Sequence, residues 1–145
     1  MTDLSAGPPG SAADVVVSRA AGTGPATWAM GMLFERLAGA EETAGLLGAS
    51  VVTKPPGQAS PLHVHTREAE AWFLLQGATG TVPVRFLALT LPGGLLDIYD
   101  EAGVPAAERR LPDAGVSDAH VARWLELAPR YGLRVVGPPI PEAEA

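Results

Sequence analysis

Apolar and polar positions alternate along the first two thirds of the chain, the period-two signature of strands that bury one face. The strongest run, residues 82–91 (VPVRFLALTL), sets Val84, Phe86 and Ala88 against Arg85, Leu87 and Leu89. Both faces are largely apolar, which predicts burial on both sides, with Pro83 at the start because proline cannot donate to a ladder. Residues 46–53 form another expected strand, closed by Pro55, Pro56 and Gly57. Residues 62–65 and 69–75 read as a pair of strands, and residues 15–17 as a β-branched first strand. Residues 27–37 (TWAMGMLFERL) fit a helical stripe through Met30, Leu33, Phe34 and Leu37. They equally fit strand alternation through Trp28, Met30, Met32 and Phe34. Gly31 inside the run and AGTGP before it favour the strand. Residues 39–45 read as a turn, and residues 133–136 as a short final strand.

The pattern changes after residue 92. Residues 94–102 predict a short helix and residues 103–116 a Pro/Ala/Arg loop. Residues 117–131 (SDAHVARWLELAPRY) give the clearest helix, with Ser117 as N-cap, Asp118 in the first turn and Gly132 placed to terminate it. Val121, Trp124, Leu125 and Ala128 line its apolar face, and Pro129 removes a donor from the last turn. The expected organisation is a loose arm at 1–13, a β-barrel unit at 14–91, a helical extension packed on it at 92–139, and a tail at 140–145.

Composition narrows the classes. The 17 glycines and 14 prolines among 145 residues suit many short elements joined by turns. With a net charge of −6 and no basic cluster, neither nucleic acid nor an anionic membrane surface is an expected partner. Without cysteine there is no disulfide framework and no thiolate metal site. The opening MTDLSAGPPGSAAD lacks an apolar signal core, and no run is long enough to span a bilayer. The expectation is a cytoplasmic protein.

The chemistry concentrates in residues 55–77 (PPGQASPLHVHTREAEAWFLLQG). His63 and His65 stand two apart, so an extended strand aims both imidazoles to one side. A hairpin between this strand and the next would bring Glu70 opposite the pair. Two imidazoles and a carboxylate suit non-haem iron and related divalent ions. Glu68 shares the parity of Glu70, and is expected to be a solvated turn residue. His120 falls on the C-terminal helix, as a surface group or a packing partner of Trp124. Trp72 and Phe73 alternate, so one of them should pack into the interior.

Gly57, His63, His65, Glu70 and Gly77 fill the pattern G-x5-H-x-H-x4-E-x6-G, which resembles the first motif of the cupins. The likeness runs over roughly residues 14–139 and is closest to small single-domain, quercetin-dioxygenase-like cupins. It implies an all-β, double-stranded β-helix (jelly-roll) barrel, here shortened, with one or two C-terminal helices. It also implies that His63, His65 and Glu70 hold a divalent ion (Fe, Mn, Ni or Zn), with Glu70 doubling as a catalytic base. The chain departs from the family where the second motif and its fourth-ligand histidine belong. The resemblance implies that about thirty residues, roughly two strands with their turns, are missing between Gly77 and Val82. A second alignment matches Pro92, Gly93 and Gly94 to part of that motif and puts Asp97 at the histidine position.

The function this resemblance implies is a metal-dependent dioxygenase acting on a small phenolic or enolic metabolite. The alternative is a non-catalytic or degenerate small-molecule-binding cupin with a weakened metal site. Loss of two strands leaves open sheet edges, so a homodimer that completes its sheet is also expected.

Overall fold

The computed structural model describes residues 16–20, 22–77 and 82–140. Among these residues eight strands and two α-helices follow in chain order: β1 (Ala26–Ala29), β2 (Met32–Ala38), β3 (Gly48–Lys54), β4 (Leu62–His65), β5 (Ala69–Gln76), β6 (Val84–Leu91), α1 (Asp97–Ala102), β7 (Val104–Pro105), α2 (Asp118–Leu127) and β8 (Leu133–Gly137). Six strands form an antiparallel sheet in the order β5-β6-β3-β2-β1-β7, and β4 pairs with β8 in a second, two-stranded sheet. The fold is therefore predominantly β. Among the described residues no ladder joins the two sheets into a closed barrel.

Register sorts the large sheet into two unlike faces. Phe34 lies opposite Val52, Val52 opposite Phe86, and Phe86 opposite Leu74. Ala88 lies opposite Trp72, and Lys54 opposite Val84, so these positions share one side. That side carries the core, in which Met32, Phe34, Val52 and Ala88 pack with Leu96, Ile98, Trp124, Leu127 and Leu133. The other face holds Glu35, which accepts from Arg85 at 3.0 Å and Arg109 at 3.1 Å.

Helix α1 is pinned above the core face by a buried cation. Arg36 of β2 donates to Asp97 at 2.6 Å and to Asp100 at 2.5 Å, while Thr27 of β1 donates to Asp100 at 2.6 Å. Two carboxylates on one guanidinium fix the helix in a single orientation. Tyr99, on the same helix, consequently stacks on Phe34 with ring centroids 4.0 Å apart.

Several expectations change form. Residues 27–37 are two strands rather than one, because Met30 (φ 51°) and Gly31 (φ 71°) make the consecutive left-handed pair of a tight hairpin turn. Val16 and Val17 are not in a strand, and Val16 is exposed; Val15 lies outside the described residues, as do the arm at 1–13, the tail beyond 140 and residues 78–81. The helix begins where Ser117 predicts: the Ser117 hydroxyl accepts from the His120 amide, and the Ser117 amide donates to His120 Nδ1, both at 3.3 Å. This reciprocal cap is the role of His120. The helix gives way to a 3₁₀ turn over Ala128–Tyr131, with Gly132 left-handed at its end (φ 73°). Leu127 is buried in place of the expected Leu125, which is exposed. The helix packs with Trp124 and Leu127 inward, a phase set by the core it covers.

Candidate functional site

The two histidines arrive as their spacing requires. Strand β4 alternates Leu62 and Val64 outward with His63 and His65 half-buried. The ring centroids of the pair are 5.0 Å apart. The expected hairpin does not form: β4 pairs with β8, and β5 pairs with β6. Residues 66–68 instead turn the chain from one sheet to the other. Thr66 secures that corner by donating through its amide and its hydroxyl to the Gly132 carbonyl, at 2.8 and 2.7 Å. The corner still delivers Glu70, whose Oε2 lies 3.3 Å from His65 Nε2.

Each imidazole has a defined setting. His63 Nδ1 lies 2.6 Å from the Pro61 carbonyl. A carbonyl only accepts, so Nδ1 is the donor in this contact. The ring also meets Trp124 edge-on at 5.6 Å. His65 Nδ1 is buried without a hydrogen-bond partner among the described residues. Histidine, histidine and glutamate are thus neighbours in pairs. Among the described residues, however, no group of three or more His, Cys, Asp or Glu side chains is placed to hold a metal ion.

Asp97 does not join them, since its carboxylate is engaged by Arg36. Glu68 is not solvated as expected: its side chain is only 5 % exposed, near Arg67, and its Oε2 is buried without a partner among the described residues. The corner before β5 folds it inward. Trp72 and Phe73 are both exposed, at 65 % and 67 %. β5 is an edge strand, so neither of its faces is fully covered.

Glu70 also borders a cavity of about 270 Å³ on the core face of the large sheet. Its walls are mainly apolar, including Phe34, Val52, Trp72, Leu74 and Phe86, and its polar groups are Lys54, Ser60, Glu70 and Tyr99. Phe86, Ala88 and Val84 line it, as their shared parity allowed. Burial, and secondarily the Glu70 charge, push the Tyr99 phenol far above the ordinary tyrosine range, against a smaller opposing effect of Trp124. Tyr99 is accordingly a neutral hydroxyl at physiological pH. A mostly apolar pocket with a few converging polar groups is the usual form of a small-molecule site.

Lys54, Ser60 and Tyr99 are the lining groups that sequence reasoning missed. Lys54 carried a signal, being the only lysine in the chain and standing at the end of an apolar strand. Tyr99 carried none, because its place depends on the Arg36 clamp. Among the described residues no helix is long and apolar enough to cross a membrane. No protein-family model matches the chain, and neither does any curated protein sequence.

Proposed function

We propose that this chain is a cupin-like, metal-dependent oxygenase that takes a small phenolic or enolic metabolite into the cavity beside Glu70. The observation that carries this reading is Glu70, which lines the apolar pocket and lies 3.3 Å from His65, whose ring is in turn 5.0 Å from that of His63.

The donor set fits a divalent ion in kind. His63 Nδ1 donates a hydrogen bond to a backbone carbonyl, the outer-shell bond that metal-ligating histidines characteristically make, which leaves Nε2 as the atom that would coordinate. His65 and Glu70 would supply the second nitrogen and the carboxylate. A bound ion would supply Lewis acidity and open positions for oxygen or for adjacent oxygen donors of the substrate. The chain's own groups have separate tasks. Glu70, on the cavity wall, accepts a proton from a substrate hydroxyl. Tyr99 stays protonated and donates a hydrogen bond. Phe34 and Phe86 offer apolar faces against which a flat ring lies.

Elemental analysis of purified protein tests this reading. Metal should co-purify or be taken up near one equivalent by the wild type and be lost in a His63→Ala/His65→Ala variant. Glu70→Ala should abolish oxygen uptake with phenolic or diketone substrates while leaving the fold intact. Full oxygen uptake in the double-histidine variant would rule out the metal mechanism.

A second reading is a non-catalytic small-molecule-binding module. It is favoured by one observation, that the three candidate ligands do not form a ready-made cage among the described residues. Thermal stabilisation by a metabolite without turnover, and without metal, would select it.

A further inference from the structure

The two charged groups of the cavity, Glu70 and Lys54, stand at its two ends. Glu70 of β5 lies opposite Thr90 of β6, whereas Lys54 of β3 lies opposite Val84 of the same strand. Those β6 positions are six residues apart, roughly 20 Å along a strand. Between them on the same side run Ala88 with Trp72, then Phe86 with Leu74 and Val52, all of them cavity-lining. With both end side chains fully extended toward each other, the ammonium and the carboxylate remain on the order of 10 Å apart. The intervening floor is apolar and aromatic.

Lys54 is partly buried, and among the described residues it belongs to none of the ion pairs, which are all made by Arg or His. A cation bordering an apolar cavity and lacking a partner is a site for an anion, because charge-assisted hydrogen bonds gain strength where water is excluded. Ser60 adds a neutral donor to the same cavity.

We propose that the cavity takes an elongated aromatic or conjugated monocarboxylate, its carboxylate on Lys54 and its hydroxyl-bearing end at Glu70. The inference deepens the proposed function, on which its orientation rests, by naming the substrate class. The apolar floor and the volume of about 270 Å³ suit a single ring with a short unsaturated side chain. The charge separation acts as a ruler. A ligand whose carboxylate sits directly on its ring reaches both ends only with Lys54 and Glu70 extended toward each other, and an ester or amide of the right length leaves Lys54 unpaired.

Binding to metal-free protein tests this separately from the oxygenase reading, with tryptophan fluorescence as the signal because Trp72 lines the cavity. The probes are para-hydroxycinnamate, its methyl ester and para-hydroxybenzoate. The long acid should bind at least about tenfold more tightly than its ester, the range of a hydrogen bond to a charged group, and more tightly than the short acid. Lys54→Met should erase the preference for acid over ester, and Lys54→Arg should keep it. Circular dichroism and melting temperature establish that both variants are folded. Equal affinity for acid and ester in wild-type protein, or an unchanged preference in Lys54→Met, overturns the inference. If the acid preference holds while the protein takes up no metal, the oxygenase reading fails and the ligand class stands. Metal-dependent oxygen uptake without any acid preference overturns the ligand class and leaves the oxygenase reading standing.

Discussion

Thr90→Val tests the packing beneath the site. Thr90 is fully buried, flanked by Glu70 on β5 and Gly48 on β3. Its hydroxyl oxygen has no hydrogen-bond partner among the described residues. A buried, unmatched hydroxyl has given up its hydration for nothing, at a cost of about 1–3 kcal/mol. Valine keeps the shape and the β-branching while removing that cost. The absent side chain of Gly48 leaves room for the new methyl, since a Cβ placed there would approach the Thr90 hydroxyl to 2.6 Å. The expected gain is about 1–2 kcal/mol, or roughly 3–6 °C in melting temperature for a chain of this size. The assay is thermal and urea unfolding of both proteins, with the urea midpoint rising and its slope unchanged. Thr90→Ser serves as the control: it keeps the stranded hydroxyl, loses the methyl, and should be destabilised by about 1 kcal/mol. A loss of about 1 kcal/mol or more in Thr90→Val would refute the reasoning, because it would mean that the hydroxyl has a partner.

Other parts of the molecule give three more expected outcomes. Gly31→Val should destabilise by about 1–3 kcal/mol in chemical denaturation, since φ is 71° there and a Cβ would come within 2.9 Å of the Val116 nitrogen. The Glu101 carboxyl is held below its ordinary value of 4.5, first by the Tyr131 hydroxyl and then by Arg130. Its contribution is therefore complete above pH 4.5 and is lost as the pH falls through the lower folded value; the stability advantage of wild type over Glu101→Gln should shrink on acidification below that point. Finally, Trp72, Phe73, Leu74 and Leu75 on the edge strand β5 are 65, 67, 56 and 48 % exposed. They leave on the order of 450 Å² open, more than half of what one partner buries in a standard interface. No charged residue interrupts positions 71–75, so two copies of the edge meet without like-charge repulsion. We expect concentration-dependent dimerisation through antiparallel β5 pairing in sedimentation experiments, abolished by Phe73→Lys; a monomer at all concentrations would exclude it.

Local chemistry made much of the framework readable in advance. Period-two alternation located the strands around residues 48–54, 62–65, 69–76 and 84–91, because a sheet with one covered face imposes that period directly on the sequence. Ser117 and Gly132 marked both ends of the C-terminal helical segment, since capping depends on residues within a turn of the terminus. The split of residues 27–37 was harder to see, because the left-handed residue at Met30 is an uncommon choice for that conformation.

Sequence alone determined that His63 and His65 share a side of one strand and that Glu70 follows on the next, because strand geometry carries that relation without reference to anything distant. Which strand each would pair with was a tertiary decision. β4 joined β8, almost seventy residues away, and β5 joined β6, so Glu70 reached His65 around a corner and not across a ladder. The placement of Tyr99 over Phe34, the burial of Glu68, and the stationing of Lys54 at the far end of an apolar floor were decided in the same way. Backbone pairing and the Arg36 clamp act between segments far apart in the chain, and no local pattern of side chains encodes the partner each one finds.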